Sequence, residues 1–338
     1  MDLQPSEEQQ QIIDSTAAFV TNRLPMRRLH AKDGAVDQVA PGLWREIAEM
    51  GWLGLGLDEA AGGVGYGLAE EALLFRELGR ALAPPRILFT AIAARTASAA
   101  GDHALAQRLA GGEITAALAV QDDFGAPATS LARRRLFEAR GADVALAVDG
   151  DRARLLQIEG GAYEIHESLD RSVSMTVADL SDAKALADVA DPRIGCAGAL
   201  LTAALQQGLA EEATRMIVEY AKIRQTFGRP IGAYQAVRHP CAEMAARGEE
   251  AKAQLFMAAV AAQDGREDAA LLVSAARVIA ENAAIQNTDD CIQLHGGIGV
   301  TEEFDTHLML KRANTMRTWF GDRRAHLALI LDTPVEAA

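Results

Sequence analysis

From Leu205 onward, the apolar positions Leu205, Leu209, Ala213, Met216, Tyr220 and Ile223 recur at steps of three and four, with Gln206, Glu211, Glu212, Arg215, Glu219 and Lys222 between them. That spacing predicts an amphipathic helix with one apolar stripe and one polar face. Similar periodicity over roughly 236–263 and 267–294, and again after Asp322, predicts three more helices, a set that closes as a four-helix bundle. Residues 5–110 also read as helical. There Ser6 is a candidate cap, and Glu7 and Glu8 favour the positive end of the helix that follows. Between the helical regions the texture changes to short β-prone runs, "ITAALAV", "DVALAV" and "RARLLQI", separated by Gly-Asp and Gly-Gly turns. The expected fold is therefore mainly α with a small central β domain: a helical domain over 1–111, a reduced β-sheet domain over 112–190, and a four-helix bundle over 191–338.

One break in the helical pattern stands out. In "IQLHGGIGVTEEF", Gly296, Gly297 and Gly299 follow a helical run within four positions. Each glycine costs a helix about 1 kcal/mol relative to alanine, so together they stop it and present backbone.

With 49% hydrophobic residues in 338, the chain is long enough to bury a sizeable core in two or three domains. Its 33 basic and 47 acidic residues give a net charge of −14, which argues against nucleic acid as a partner. An anionic ligand then needs a local basic pocket. The acidic, polar start "MDLQPSEEQQQIIDS" and the lack of a run near eighteen apolar residues argue against secretion or a membrane span, so a cytoplasmic protein is expected. Cys196, Cys241 and Cys291 are odd in number and widely spaced, which fits buried free thiols. "DEAAGGVGYG" (58–67) lacks the strand and the Lys-Ser/Thr of a phosphate loop and reads as a connection, while Arg133–Arg135 reads as a solvated turn. The Glu-x-x-His motifs of a di-iron bundle do not occur in the sequence.

Three blocks carry a resemblance: "LWREIAEMGWLGLGLDEAAGGVGYGLAEEALLFRELGRALAP", "YAKIRQTFGRPIGAYQAVRH" and "QLHGGIGVTEEFDTHLMLKR". In this order and spacing the chain resembles the acyl-CoA dehydrogenase family over nearly its whole length except the sheet region. The resemblance implies an oxidoreductase that removes two hydrogens across the α and β carbons of an acyl-CoA thioester. A carboxylate takes the α proton, flavin N5 of FAD accepts the β hydride, and an electron-transfer acceptor reoxidises the flavin. It also implies that the ADP half of FAD lies across a subunit interface. Arg224, Thr226 and Phe227 match the family's pyrophosphate and adenine contacts, Gln235 and Gln293 match two further polar contacts, and Gly296 with Gly297 match the place where backbone approaches the phosphates. His295, beside them, is expected to be structural.

The departures from the family pattern are informative. The family's "TEPxAGSD"-type loop and the following Trp-Ile or Phe-Ile segment, which cradle the flavin ring, are replaced by "AVQDDFGAPATSLARRRLFEARGADVALAV". Phe320 or Gly321 stands where the family carries its Glu base, and the alternative base position falls near Gly198, so neither position holds a carboxylate. Asp322 is the nearest candidate for a catalytic residue, and its expected role is to cap the last helix. This pattern resembles the short subunits of heteromeric (α2β2) bacterial acyl-CoA dehydrogenases, which complete the FAD site of a larger catalytic partner and act on steroid-derived or other bulky acyl groups. Two alternatives stand beside it: a self-sufficient homotetrameric dehydrogenase using Asp322, and a non-catalytic helical interaction protein.

Overall fold

The computed structural model describes residues 4–30, 40–122, 130–159, 163 and 166–334. Five helices come first: α1 (Glu7–Arg23), α2 (Pro41–Glu49), α3 (Leu68–Arg80), α4 (Arg86–Ala99) and α5 (His103–Ala110). Ser6 caps α1 in a reciprocal box, its hydroxyl accepting from Gln9 N while the Gln9 side chain accepts from Ser6 N. The glycine-rich stretch before α3 is a connection, as expected, containing one short 3-10 turn at Glu59–Ala61.

The sheet follows as β1 (Ala116–Gln121), β2 (Arg134–Phe137), β3 (Val144–Asp149), β4 (Arg152–Gln157), β5 (Met175–Ala178) and β6 (Ala185–Ala190), in spatial order β5-β2-β1-β3-β4-β6. Among the described residues, only β1 and β3 pair in parallel. Both faces are covered, and the strands alternate between two cores. Ala116, Leu118, Val144, Leu146, Ala153 and Leu155 join the main core, where α4 and α6 pack on the sheet. Ala117, Ala119, Ala145, Ala147 and Leu156 join a second apolar cluster on the other face.

One expectation fails here. Arg133–Arg135 is not a solvated turn: Arg134 and Arg135 lie in β2, and Arg134 is fully buried and bidentate to Asp149 at 2.7 and 2.9 Å. Asp149 also accepts from Arg154 at 2.8 Å. A charge run reads as surface by composition, but Asp149 on β3, reached across the intervening β1, lets Arg134 span a sheet face with its charge paired.

The remaining elements are α6 (Pro192–Ile223), a two-stranded hairpin of β7 (Gln225–Thr226) and β8 (Arg229–Pro230), α7 (Gln235–Gln263), α8 (Ala269–His295), α9 (Thr306–Thr315) and α10 (Arg323–Asp332). Helices α6, α7 and α8 pack mutually, and α10 lies on α8. α9, which periodicity did not predict, also packs on α8.

The expected polar face of α6 is also corrected. Gln206 and Glu212 are buried, because α6 is the central helix and meets α3 on the side that the sequence assigns to solvent. Arginines meet the acceptor side of that buried polarity: Arg277 donates to Gln206 Oε1 at 2.6 Å and Arg76 to Gln207 Oε1 at 3.0 Å, while Gln206 Nε2 has no hydrogen-bond partner among the described residues. At the far end Ile223, assigned to the apolar stripe, is 75% exposed.

The stretch Ala269–Val300 is long and apolar enough to cross a membrane, with a mean hydropathy of 1.2 in its best window, which the search for apolar runs did not anticipate. Its helix is packed between α6, α7, α9 and α10 as a bundle core helix. The three cysteines are free thiols. Cys291 is buried as expected, while Cys196 and Cys241 are only half-buried.

Candidate functional site

The C-terminal ends of α6 and α8 and the start of α7 meet at one end of the bundle. The Tyr220 ring, in the last turn of α6, lies 4.4 Å from the His295 ring that ends α8. All seven sequence-predicted cofactor residues lie at this end. Arg224 is the C-cap of α6, Thr226 and Phe227 are in the hairpin, Gln235 opens α7, Gln293 is in the last turn of α8, and Gly296 and Gly297 follow it. Every one of them is exposed.

The hairpin presents Phe227 at a cost. Phe227 and Gly228 form its tip with φ of +48° and +78°, and Phe227 is 94% exposed. A left-handed backbone disfavours a bulky residue by about 1–2 kcal/mol, and an exposed ring returns none of that to the isolated chain. The hairpin is braced from below. Tyr234 Oη donates to the Thr226 carbonyl at 3.0 Å, and the Arg229 guanidinium lies 4.1 Å over the Tyr234 ring.

The glycines tell the same story. A Cβ added at Gly296 or Gly297 would meet no atom of the chain within 4 Å, so packing inside this subunit does not require the missing side chain at Gly297. Gly296 is needed for its φ of +68°. The Gly296 N–H is itself taken by the Gln293 carbonyl. The turn therefore offers bare backbone to close approach, and the positive charge has to come from elsewhere. The ends of α6 and α8 are negative helix poles, so Arg224 and the N-terminus of α7, which has no side-chain cap, are the sources. The Arg224 side chain makes no hydrogen bond or ion pair among the described residues. An open cradle, an uncommitted guanidinium and an uncapped helix start fit the anionic ADP portion of FAD approaching from outside the chain.

His295 is structural, as expected. Its Nδ1–H donates to the Cys291 carbonyl at 2.7 Å, and its ring lies between Tyr220 and Phe304. Burial lowers its pKa and keeps it neutral.

The second region lies where α6 passes the loop before α10. Here the two base positions of the family pattern meet each other. The Phe320 ring lies flat on Gly198, so closely that a Cβ on Gly198 would fall 2.2 Å from Phe320 Cδ1. Phe320 takes a left-handed φ of +51° to reach this place and is only 7% exposed. Beside it Trp319 is fully buried, edge-on to Phe89 at 5.0 Å and to Phe137 at 6.0 Å. The small space bounded by Trp319, Phe75, Leu78, Leu82, Leu205 and Met316 amounts to about 10 Å³.

Asp322 is the N-cap of α10, its Oδ1 accepting from Ala325 N at 2.8 Å. Behind the loop, His326 is held neutral, its pKa pushed down to about 4 by burial and by the Arg277 charge.

On the sheet side, an open cleft of about 930 Å³ runs between the sheet and α9, lined by Phe137, Met175, Thr315 and Thr318. Both arginines at its rim, Arg133 and Arg135, are committed to Asp122. Residues 123–129, the centre of the segment that replaces the family's flavin-ring loop, lie outside the described residues.

The chain is similar to known proteins over most of its length. Residues 6–112 match the N-terminal domain of acyl-CoA dehydrogenases, and residues 197–333 match the C-terminal domain. Acyl-CoA dehydrogenase IpdE2 of Mycobacterium tuberculosis is 32% identical over 317 residues, 92% of each chain. Acyl-CoA dehydrogenase FadE34 of the same organism is 33% identical over 86% of this chain, which spans only 41% of FadE34's length. Among solved structures, the ChsE4–ChsE5 complex from M. tuberculosis has a similar fold, with a TM-score of 0.84 at 21% identity over 99% of this chain and 100% of that one. A variant of the Tcur3481–Tcur3483 steroid ACAD gives a TM-score of 0.78 at 26% identity over 96% and 97%. From the matched domains and the IpdE2 similarity, the chain belongs to the acyl-CoA dehydrogenase family.

Proposed function

We propose that this chain is the shorter subunit of a heteromeric, flavin-dependent acyl-CoA dehydrogenase, a cytoplasmic α2β2 assembly in which it completes the ADP half of the partner's FAD site and contributes no catalytic base. The observation that carries the proposal is Phe320 stacked on Gly198, which fills both base positions with one apolar ring. The exposed bundle end supports its other half. A steroid-derived or similarly bulky acyl-CoA is the substrate class favoured by the similarity to the Tcur3481–Tcur3483 steroid ACAD, and the two-protein ChsE4–ChsE5 complex is a precedent for the assembly.

FAD, when bound, supplies the hydride-accepting chemistry that side chains lack. This chain's own part is binding and orientation. Arg224 offers a planar pair of donors to phosphate oxygens, and Thr226, Gln235 and Gln293 offer neutral polar contacts around it. Phe227 offers an aromatic face to the adenine, and the bare backbone of Gly296 and Gly297 allows close approach. Proton abstraction is assigned to a carboxylate of the partner.

The seam at Phe320 gives the test. Gly198→Ala should destabilise the chain by about 1–3 kcal/mol, a shift of several degrees in Tm, because the new methyl overlaps the Phe320 ring. Phe320→Ala added to it should recover part of that loss. Turnover of the assembled complex should stay within about twofold in both, since changes outside reach of the reacting atoms leave the barrier unaltered. A fall of orders of magnitude in turnover with the fold intact would place catalysis in this chain.

The homotetramer reading needs Asp322 as base, and its carboxylate is already spent on α10. Asp322→Asn keeps a capping oxygen, so stability should change by no more than about 0.5 kcal/mol and turnover of the complex should be retained. Loss of turnover with an unchanged Tm would favour the homotetramer.

A further inference from the structure

His30 closes the 3-10 turn Met26–His30, in a part of the chain remote in sequence from the bundle, yet both its ring nitrogens end on the segment that follows the glycine turn. Nδ1 lies 2.6 Å from the Glu302 carbonyl oxygen, and Nε2 forms a short contact with the Asp305 carboxylate. A carbonyl and a carboxylate only accept, so both contacts are made at once when each ring nitrogen carries a proton. Neutral imidazole has one N–H, and one of the two contacts is then lost.

The surroundings bear on that proton. Burial opposes the charge on His30, but hydrogen bonds to Asp305 and Glu302, together with the Asp305 charge, outweigh it and hold the pKa above the ordinary value. The other neighbour is His307, its ring 6.5 Å away and edge-on. Burial, Lys311 and His30 itself lower the pKa of His307, so of the two rings His30 is the one favoured to hold the proton.

The anchored segment is tied directly to the glycine turn. Thr306 Oγ1 donates to the Gly299 carbonyl at 2.6 Å, Thr301 Oγ1 donates to the Ile298 carbonyl at 2.9 Å, and Phe304 packs on His295. Holding Glu302 and Asp305 in place thus holds the backbone that runs from Gly296 to Thr306.

We propose that His30, bridged to Glu302 and Asp305, is a protonation-dependent latch that sets the order of the Gly296–Gly297 turn and through it the retention of FAD. The inference rests on the half-site reading above and adds its regulation. The sign follows from the raised pKa of His30: the latch is complete at pH below the unfolded value near 6.5 and is released as pH rises through the higher folded value.

Two measurements test it. In the full chain alone, hydrogen exchange of the amides of 296–306, corrected for the intrinsic pH dependence, should be slower at about pH 6 than at about pH 8.5 by threefold or more. His30→Gln, which keeps an amide donor but cannot titrate, should abolish the difference. In the assembled complex the FAD dissociation constant should rise about three- to tenfold over the same range, part of the ten- to hundredfold that one charge-assisted hydrogen bond is worth, and His30→Gln should flatten it. A pH-independent exchange profile, or a pH response that survives His30→Gln, would overturn the latch. A flat FAD profile in a complex whose FAD binding does weaken with Arg224→Ala overturns the latch and leaves the half-site standing. If Arg224→Ala also has no effect, the half-site itself falls and the regulatory claim goes with it.

Discussion

Arg224→Ala in the assembled enzyme should weaken FAD binding ten- to hundredfold while leaving the chemistry intact once FAD is restored. Arg224 sits at the end of α6 with its backbone fixed, its N–H donating to the Tyr220 carbonyl and its own carbonyl accepting from Ile231, so the guanidinium is positioned without being spent. A charge-assisted contact to phosphate contributes roughly 1.5–3 kcal/mol, which converts to that range of affinity. The mutant should lose FAD on dilution and recover turnover when FAD is added in excess, so its kcat at saturation matches the unmodified complex. Arg224→Lys should recover only part of the affinity, because an ammonium is a point charge without the planar fork. Titration of activity against added FAD reads the effect directly. An unchanged titration would mean that Arg224 is only a helix-end charge, favourable to the negative pole of α6 and nothing more.

Much of the bundle end was legible in the sequence, for a physical reason. The glycine break after α8 and the arginine after α6 are local features, and the helix periods around them put both at helix ends. What the sequence did not reveal is what depends on one element meeting another. Ile223 continues an apolar stripe by spacing but emerges from the bundle, because α6 outruns the helices that cover it. Gln206 and Glu212 continue a polar face but are buried, because α3 and α8 bring arginines to them. Arg134 belongs to a run of three arginines, and only the strand order β2-β1-β3 shows that it spans across β1 to Asp149.

The seam at Phe320 lies between these cases. That no carboxylate stands at Gly198, Phe320 or Gly321, the residues matched by resemblance to the family's base positions, is plain from the sequence. That the two positions touch, and that one aromatic ring occupies both, requires the fold. The strain at Phe320 and at Phe227 is likewise invisible in sequence, since a positive φ at a phenylalanine follows no local rule. One strained ring is buried against its own chain and the other is fully exposed. Under the proposed function the contrast gives them opposite roles: the first closes a site within the subunit, and the second reaches out of it. His30 carried no signal at all, because its partners lie 272 and 275 residues away.

The central claim is that this chain holds half of a shared flavin site and not a whole one. A complete nanomolar site is worth about −12 kcal/mol, and half of that contact energy corresponds to a dissociation constant of roughly tens of micromolar, which gel filtration strips. The most direct measurement is flavin absorbance per chain after purification, for this chain alone and for the same chain purified with a base-bearing acyl-CoA dehydrogenase subunit. Purified alone, the protein should be colourless, and the complex should be yellow with flavin that survives gel filtration. One tightly bound FAD per chain in the protein purified alone would contradict it.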